Sequence, residues 1–342
     1  MAPNSKATFG GENVSIAAKA CLKRHFRFLL LPGANMLDFS AAIEPLRIVN
    51  SLRAAPEYTW SIVSENGQPI TLSNGISLPV DGALLDTDAA DVVVVCSGEA
   101  GFLDADPKTL QWLRKHARFG GAVAALATGA FTLARAGLAK SAKLTLHWAQ
   151  IPVFEEIFPD LECMSYRSVS EGTLSYCAGG SACLDLTLQV IQEDFDHATA
   201  QRVAEFCLHD FDCDVSRTQR ITIAKRVGGR HPAITNIVQK MEESIHTAPL
   251  LEDLIGGENI SRRQVERLFK RYLGTTPSQY FRNLRLDRAR CLLLGTDMSI
   301  MEVAIATGFS GYTSFSKLYR KRFGERPSSD RGGKISGNGM AL

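Results

Sequence analysis

Two groups of residues in this 342-residue chain have the types and spacing to do chemistry. The first surrounds Ala127-Thr128-Gly129, a sharp turn after the apolar run Gly121–Leu126. A strand breaking into a helix there presents its turn residue to a reactant, and covalent catalysis needs an activated nucleophile at that spot. The position holds Ala127, which cannot attack. Thr128 is the hydroxyl in reach, but no base is evident beside it, and Thr is a preferred helix N-cap. Cys96 closes the apolar run Asp91–Cys96 and reads as a small core residue. His147, next to Trp148, fits a satisfied structural histidine and a ligand contact equally. The second group comprises Arg262, Arg263, Arg267, Thr313, Ser314, Lys317 and Arg320. These are hydrogen-bond donors suited to base edges and phosphates, provided helices carry them into a groove.

The first group needs an α/β framework. His25–Leu31, Tyr58–Ser64, Asp91–Cys96 and Gly121–Leu126 read as strands, with Leu144–Leu146, Arg167–Val169 and Leu174–Cys177 as shorter ones. Asp91–Cys96 is apolar on both faces, as parallel sheets require. Helical spacing follows over Asp38–Leu52, from Asp106-Pro107 to Arg118, from Gly179-Gly180 to Ile191 and over Arg202–Phe211. The expected fold is a doubly wound, mostly parallel sheet spanning residues 23–211, after an unstructured start over 1–22. Ligands of such sheets lie beyond the carboxyl ends of the strands. There the loops Gly33–Asp38, Ser97-Gly98-Glu99, Ala127-Thr128-Gly129 and His147-Trp148 converge, which makes Gly98, Glu99, Thr128, His147 and Trp148 candidate binding residues. Asn74-Gly75 and Gly179-Gly180 belong to no phosphate-binding pattern and read as turns.

The second group sits in a repeat. Shifting the chain by fifty residues lays Ile255 on Ile305, Val265 on Phe315 and Leu268 on Leu318. The same shift lays Arg267, Lys270 and Arg271 on Lys317, Arg320 and Lys321, and Gly274-x-x-Pro277 on Gly324-x-x-Pro327. Matched apolar faces, basic faces and helix stops predict two helix-turn-helix units. Ser261-x-x-Gln264 and Ser299-x-x-Glu302 are capping boxes. The apolar helix between the units, from Thr276-Pro277 to Leu294, is expected to pack against both. The all-α tandem helix-turn-helix domain is expected over 232–330, after a linker at 212–231 and before an unstructured tail at 331–342.

Net charge is +2, unevenly distributed. From Ile260 onward there are 16 Lys/Arg against 6 Asp/Glu, whereas residues 1–259 hold 22 against 30. A basic module on an acidic body points to nucleic acid as the partner of one end, and the paired helix-turn-helix units make that partner double-stranded DNA. The eight cysteines form no C-x-x-C pair, so neither a disulfide framework nor a metal site is expected, and no cofactor is implied. No run is apolar enough for a membrane span or a signal peptide, so the expectation is a cytoplasmic protein.

The stretch Leu250–Pro327 resembles the DNA-binding domain of the AraC/XylS transcription regulators, notably in Gly308-Phe309, Phe315-Ser316 and Phe323-Gly324-x-x-Pro327. The body resembles the PfpI-type branch of the class I glutamine-amidotransferase-like superfamily, through Glu44-Pro-Leu-Arg47, Thr128-Gly-Ala-Phe131, Leu146-His-Trp148 and Cys177-Ala-Gly-Gly180. In that family a Cys stands where this chain has Ala127, and the resemblance loosely places the orienting carboxylate at Glu44. Together the likenesses imply a regulator, in the first instance an activator, of small-metabolite catabolism. It would respond to an amino acid, betaine or carnitine, form a homodimer and engage RNA polymerase. The alternative is a PfpI-like hydrolase or lyase carrying a DNA-binding module. Phe39, Phe131 and Trp148 read either as core or as an aromatic cage for a quaternary ammonium group.

Overall fold

The computed structural model describes residues 24–85, 88–98, 106–139, 143–211, 218–219 and 231–332. The expected unstructured start, residues 333–342 of the expected tail and most of the expected linker lie outside the described residues, whereas Arg331 and Gly332, expected in the tail, end the last helix.

The body begins with β1 (Arg24–Leu30), α1 (Met36–Leu52), β2 (Tyr58–Val63) and a two-residue hairpin of β3 (Ile70–Thr71) and β4 (Ser77–Leu78). Then come β5 (Asp91–Cys96), α2 (Pro107–Arg118), β6 (Ala122–Leu126), α3 (Gly129–Arg135) and α4 (Ile151–Ile157). It closes with β7 (Ser168–Glu171), β8 (Leu174–Cys177), α5 (Ala182–Asp194) and α6 (His197–Phe206). The main sheet runs β2-β1-β5-β6-β8-β7, parallel throughout except for the antiparallel edge strand β7. The chain leaves β1 for β2 on one side and returns to β5 on the other. That reversal leaves a crevice at the strands' carboxyl ends.

All six residues of β5 are buried, so its side chains feed two cores by strict alternation. Val92, Val94 and Cys96 join Phe28, Leu46 and Leu188 beneath α1, α5 and α6. Val93 and Val95 join Leu113, Phe131 and Phe154 beneath α2, α3 and α4. Each fully buried Val, Leu or Phe contributes about 1.5–3 kcal/mol, so covering both faces supplies most of the favourable energy of the body.

Two expectations differ in detail. Leu144–Leu146 forms no strand, only an isolated bridge from Leu144 to Cys163. Backbone bonds reach only Leu144, whose N–H donates to the Glu162 carbonyl and whose carbonyl accepts the Met164 N–H. Beyond it the Thr145 hydroxyl lies within reach of the Met164 and Tyr166 carbonyls, and Gln219 donates to the Leu146 carbonyl. The last helix of the body starts at His197, where the Asp196 carboxylate accepts the Thr199 N–H, and ends at Phe206.

The carboxy-terminal part is all helix: α7 (Pro232–Glu243), α8 (Leu251–Ile255), α9 (Arg262–Leu273), α10 (Pro277–Gly295), α11 (Ile300–Ala306), α12 (Tyr312–Phe323) and α13 (Pro327–Gly332). Both predicted capping boxes form, at Ser261 and Ser299. Gly274 and Gly324 end the two readers in the left-handed conformation that only glycine adopts without strain. There are two cores. Phe281 of α10 joins Val265, Leu268 and Phe269 in one, and Leu286, Ala289, Leu292 and Leu293 of α10 join Val303, Phe315 and Tyr319 in the other. The long helix is therefore the bridge expected from its surplus of apolar residues. Among the described residues no helix is long and apolar enough to cross a membrane.

Candidate effector site and nucleic-acid interface

The turn after β6 keeps the geometry of a nucleophile elbow without its nucleophile. Ala127 is buried with φ +48, a left-handed conformation unusual for a residue with a side chain. Its N–H donates to the Cys177 carbonyl at 2.8 Å. Neighbouring loops press closely here. A Cβ on Gly98 would lie 1.7 Å from the Gly33 carbonyl oxygen, and one on Gly129 would lie 2.7 Å from that of Val95. The Thr128 hydroxyl donates to the Gly98 carbonyl in a very short bond and does not cap α3. The N-cap reading of its side chain is corrected by that bond, which ties the loop after β6 to the loop after β5.

The carboxylate at this site is Asp38, in the first turn of α1 behind the N-cap Asn35. It is 1 % exposed. Its Oδ1 accepts the Gly180 N–H at 2.5 Å, whereas Oδ2 is buried with no hydrogen-bond partner. A Cβ on Gly179 would lie 3.1 Å from that Oδ2 and 2.9 Å from the Ala127 Cβ, so the unpartnered oxygen lies beside the elbow. Desolvation raises the carboxyl to about 6 against the opposing Gly180 hydrogen bond. Burial, with a smaller contribution from the Asp38 charge, pushes the Cys96 thiol well up, as suits the expected core cysteine.

Gly98 and Thr128 thus meet at the elbow, joined by Asp38, which the sequence reading passed over. Glu44 does not join them. It lies on the exposed side of α1 in an ion pair with Arg47 at 2.7 Å, and the buried carboxylate beside the elbow is Asp38. Glu99 lies outside the described residues. His147 is half-buried, and burial lowers its pKa. Its ring contacts Trp148, whose backbone N–H donates to Gln219 Oε1. One set of this loop's hydrogen bonds thus runs to Gln219 in the segment between the body and the helical domain. Trp148 is 37 % exposed, so the core reading fails for it. Phe39 and Phe131 belong to cores on opposite faces of the sheet and cannot form one cage. Among the described residues no cluster of ligand side chains suits a metal ion.

The second group lies on α9 and α12. Val265, Leu268 and Phe269 turn inward on α9, leaving Arg262, Arg263 and Arg267 exposed. On α12 Phe315 and Tyr319 turn inward, and Thr313, Ser314, Lys317 and Arg320 are exposed. Arg262 is tied to Glu252 and to Glu266, so using it on DNA first requires breaking those pairs. The Ser314 hydroxyl donates back to the Gly311 carbonyl at 3.1 Å. In each unit a short helix and a turn precede the basic helix, which is the arrangement that sets a recognition helix in the major groove.

An α/β body whose elbow holds Ala127, followed by tandem basic helix-turn-helix units on a shared helix, has the build of a DNA-binding regulator. Comparison with known proteins agrees. Residues 27–193 match the DJ-1/PfpI family and residues 257–332 match a helix-turn-helix domain. The chain is 38% identical over 312 residues to the HTH-type transcriptional regulator CdhR of Pseudomonas aeruginosa, covering 91% of this chain and 92% of the relative. It is 34% identical to GbdR, a regulator of the same organism, over 92% of this chain and 86% of the relative. A solved AraC family regulator from Pseudomonas putida superposes with a TM-score of 0.48 at 24% identity, over 54% of this chain and 99% of that one. The chain belongs to the AraC-family HTH-type transcriptional regulators that carry an amino-terminal DJ-1/PfpI domain.

Proposed function

We propose that the protein is an effector-responsive, sequence-specific transcription regulator, in the first instance an activator of small-metabolite catabolism. The α/β body over residues 23–211 senses the effector, and the helical domain over 232–330 reads DNA. The observation that carries the reading is the pair of exposed basic helices, α9 and α12, held on one bridging helix with separate apolar cores. Arg263, Arg267, Thr313 and Lys317 lie toward the amino-terminal ends of the readers and contact base edges, whereas Arg320 and Lys321 serve phosphates. Arg262 joins the first set once its ion pairs open. The effector lies at the strand ends near Gly98, Thr128, His147 and Trp148. The unpartnered Asp38 oxygen beside Ala127 supports an effector bearing N–H donors, since a buried acceptor left unsatisfied costs about 1–3 kcal/mol. Ala127 supplies no nucleophile, so the elbow itself does not act by covalent catalysis.

Two measurements test the reading. Arg263→Ala or Lys317→Ala weakens binding to selected DNA by about 1–3 kcal/mol for a bidentate base contact, with a smaller loss on random duplex. Equal losses on both would remove the base-reading assignment. A thermal-shift panel of amines, betaines and amino acids should contain a compound that raises the melting temperature of the wild-type chain. No shift with any of them would count against a nitrogenous effector.

A further inference from the structure

We infer that Gln219 and the contact between α4 and α10 couple the effector side of the body to the helix that carries both DNA readers. The inference rests on the proposed reading of the His147–Trp148 loop as an effector loop. Its physical content is a continuous set of contacts from that loop to α10.

Gln219 belongs to the segment between the body and α7, and its amide is held by the loop and by Tyr166. Its Nε2 donates to Thr145 Oγ1 at 2.9 Å, to the Leu146 carbonyl at 2.8 Å and to the Tyr166 carbonyl at 2.9 Å. Its Oε1 accepts the Trp148 backbone N–H at 2.7 Å. Its own N–H donates to the Ser165 carbonyl at 3.0 Å, and Thr218 pairs with Tyr166 in an antiparallel bridge. The two hydrogens of Nε2 are shared among three acceptors and Oε1 holds one donor, so both ends of the amide are engaged. Rearranging residues 145–148 therefore strands buried polar groups unless Gln219 moves with them.

The same loop runs directly into α4, starting with the Gln150 N–H donating to the His147 carbonyl at 2.8 Å. Val153 and Phe154 of α4 are part of the body core. The outer side of α4 meets α10. Cys291 packs against that same body core, and a Cβ on Gly295 would lie 2.4 Å from Val153 Cγ1. Glu155 pairs with Arg288 at 3.7 Å. Only glycine lets the end of α10 approach so closely. Because α10 contributes to both helix-turn-helix cores, a shift at Val153 or Glu155 changes how the two readers are presented. Packed interfaces of this kind switch between discrete arrangements rather than deform continuously. Gln219 is a positioning residue here; it need not touch effector or DNA.

Coupling of binding free energies is reciprocal, so DNA can stand in for the effector as the probe. The test is hydrogen exchange on the full chain, with and without a duplex selected in vitro by the wild-type protein. DNA binding should change exchange in residues 144–157 by about fivefold or more, the lower end of ordinary allosteric coupling. In Gln219→Ala and in Arg288→Glu that response should fall below about twofold, while DNA-induced protection of α9 and α12 persists and shows both variants folded. Adding Glu155→Arg to Arg288→Glu should restore it. The inference is overturned if wild-type residues 144–157 are silent to DNA, if both variants respond like wild type, or if the double variant stays uncoupled. Failure to select any duplex would instead remove the DNA-reading proposal, and this inference with it.

Discussion

Replacing Asp38 with asparagine should remove a pH-dependent penalty from the body. Burial holds the folded carboxyl at about 6, against an ordinary aspartate value of about 3.9 in the unfolded chain. Between those values the native state binds more protons than the unfolded one, so this group's contribution makes stability fall as pH rises through the window. Once both states are ionised the penalty is about 3 kcal/mol, at about 1.4 kcal/mol for each pH unit between the two values. Roughly 2 kcal/mol of it develops between about pH 4.5 and pH 7.5. Asp38→Asn keeps an acceptor for the Gly180 N–H but does not titrate. Its stability relative to wild type should therefore improve by about 2 kcal/mol across that interval, whatever the offset at the acid end. The assay is urea unfolding of the full chain followed by tryptophan emission. Trp60, Trp112 and Trp148 all lie in the body, so the signal reports that domain alone. Parallel pH profiles for the two proteins would refute the reasoning, because they would mean that Asp38 is solvated or that its Oδ2 is satisfied.

Other substitutions separate packing from recognition. Gly98→Ala forces a Cβ into the Gly33 carbonyl, so thermal unfolding should show the body destabilised by about 1–3 kcal/mol. Phe315 is fully buried between Phe309 and Tyr319, and Phe315→Ala should cost about 3–5 kcal/mol in calorimetry of the helical domain. Ser261→Ala removes half a capping box and should destabilise that domain by about 1 kcal/mol in the same assay. Lys321→Ala should leave sequence preference intact and reduce the slope of log affinity against log salt by about 1 in a binding titration.

The helical domain was legible because its information is local. Period, capping boxes and terminal glycines each act within a few residues, and the apolar surplus of α10 announced a helix with two partners. The sheet was legible from its doubly buried central strand, and the elbow from a strand running into a helix at Ala127. Asp38 was not, because what makes it special is tertiary. Its partner Gly180 is 142 residues away, and in sequence it resembles any acid in a first helical turn. Glu44 looked as suitable, yet six residues further along α1 it faces solvent. Thr128 misled for a similar reason: a preferred cap residue found a better acceptor on another loop. The hydrogen-bonded loop at Leu144–Leu146 passes for a strand because its backbone pairing stops at Leu144, and the Thr145 hydroxyl and the distant Gln219 amide take over, which no alternation pattern registers.

The measurement that tests the central claim most directly is selection of random duplexes by the full-length wild-type chain, followed by sequencing. Two non-equivalent readers on one bridging helix should enrich a bipartite site. Its two parts should lie about one helical turn apart, on one face of the DNA, and differ in sequence because α9 presents arginines where α12 presents Thr313, Ser314 and Lys317. Recovery of sequences indistinguishable from the input, at salt where the protein still binds, would contradict the account.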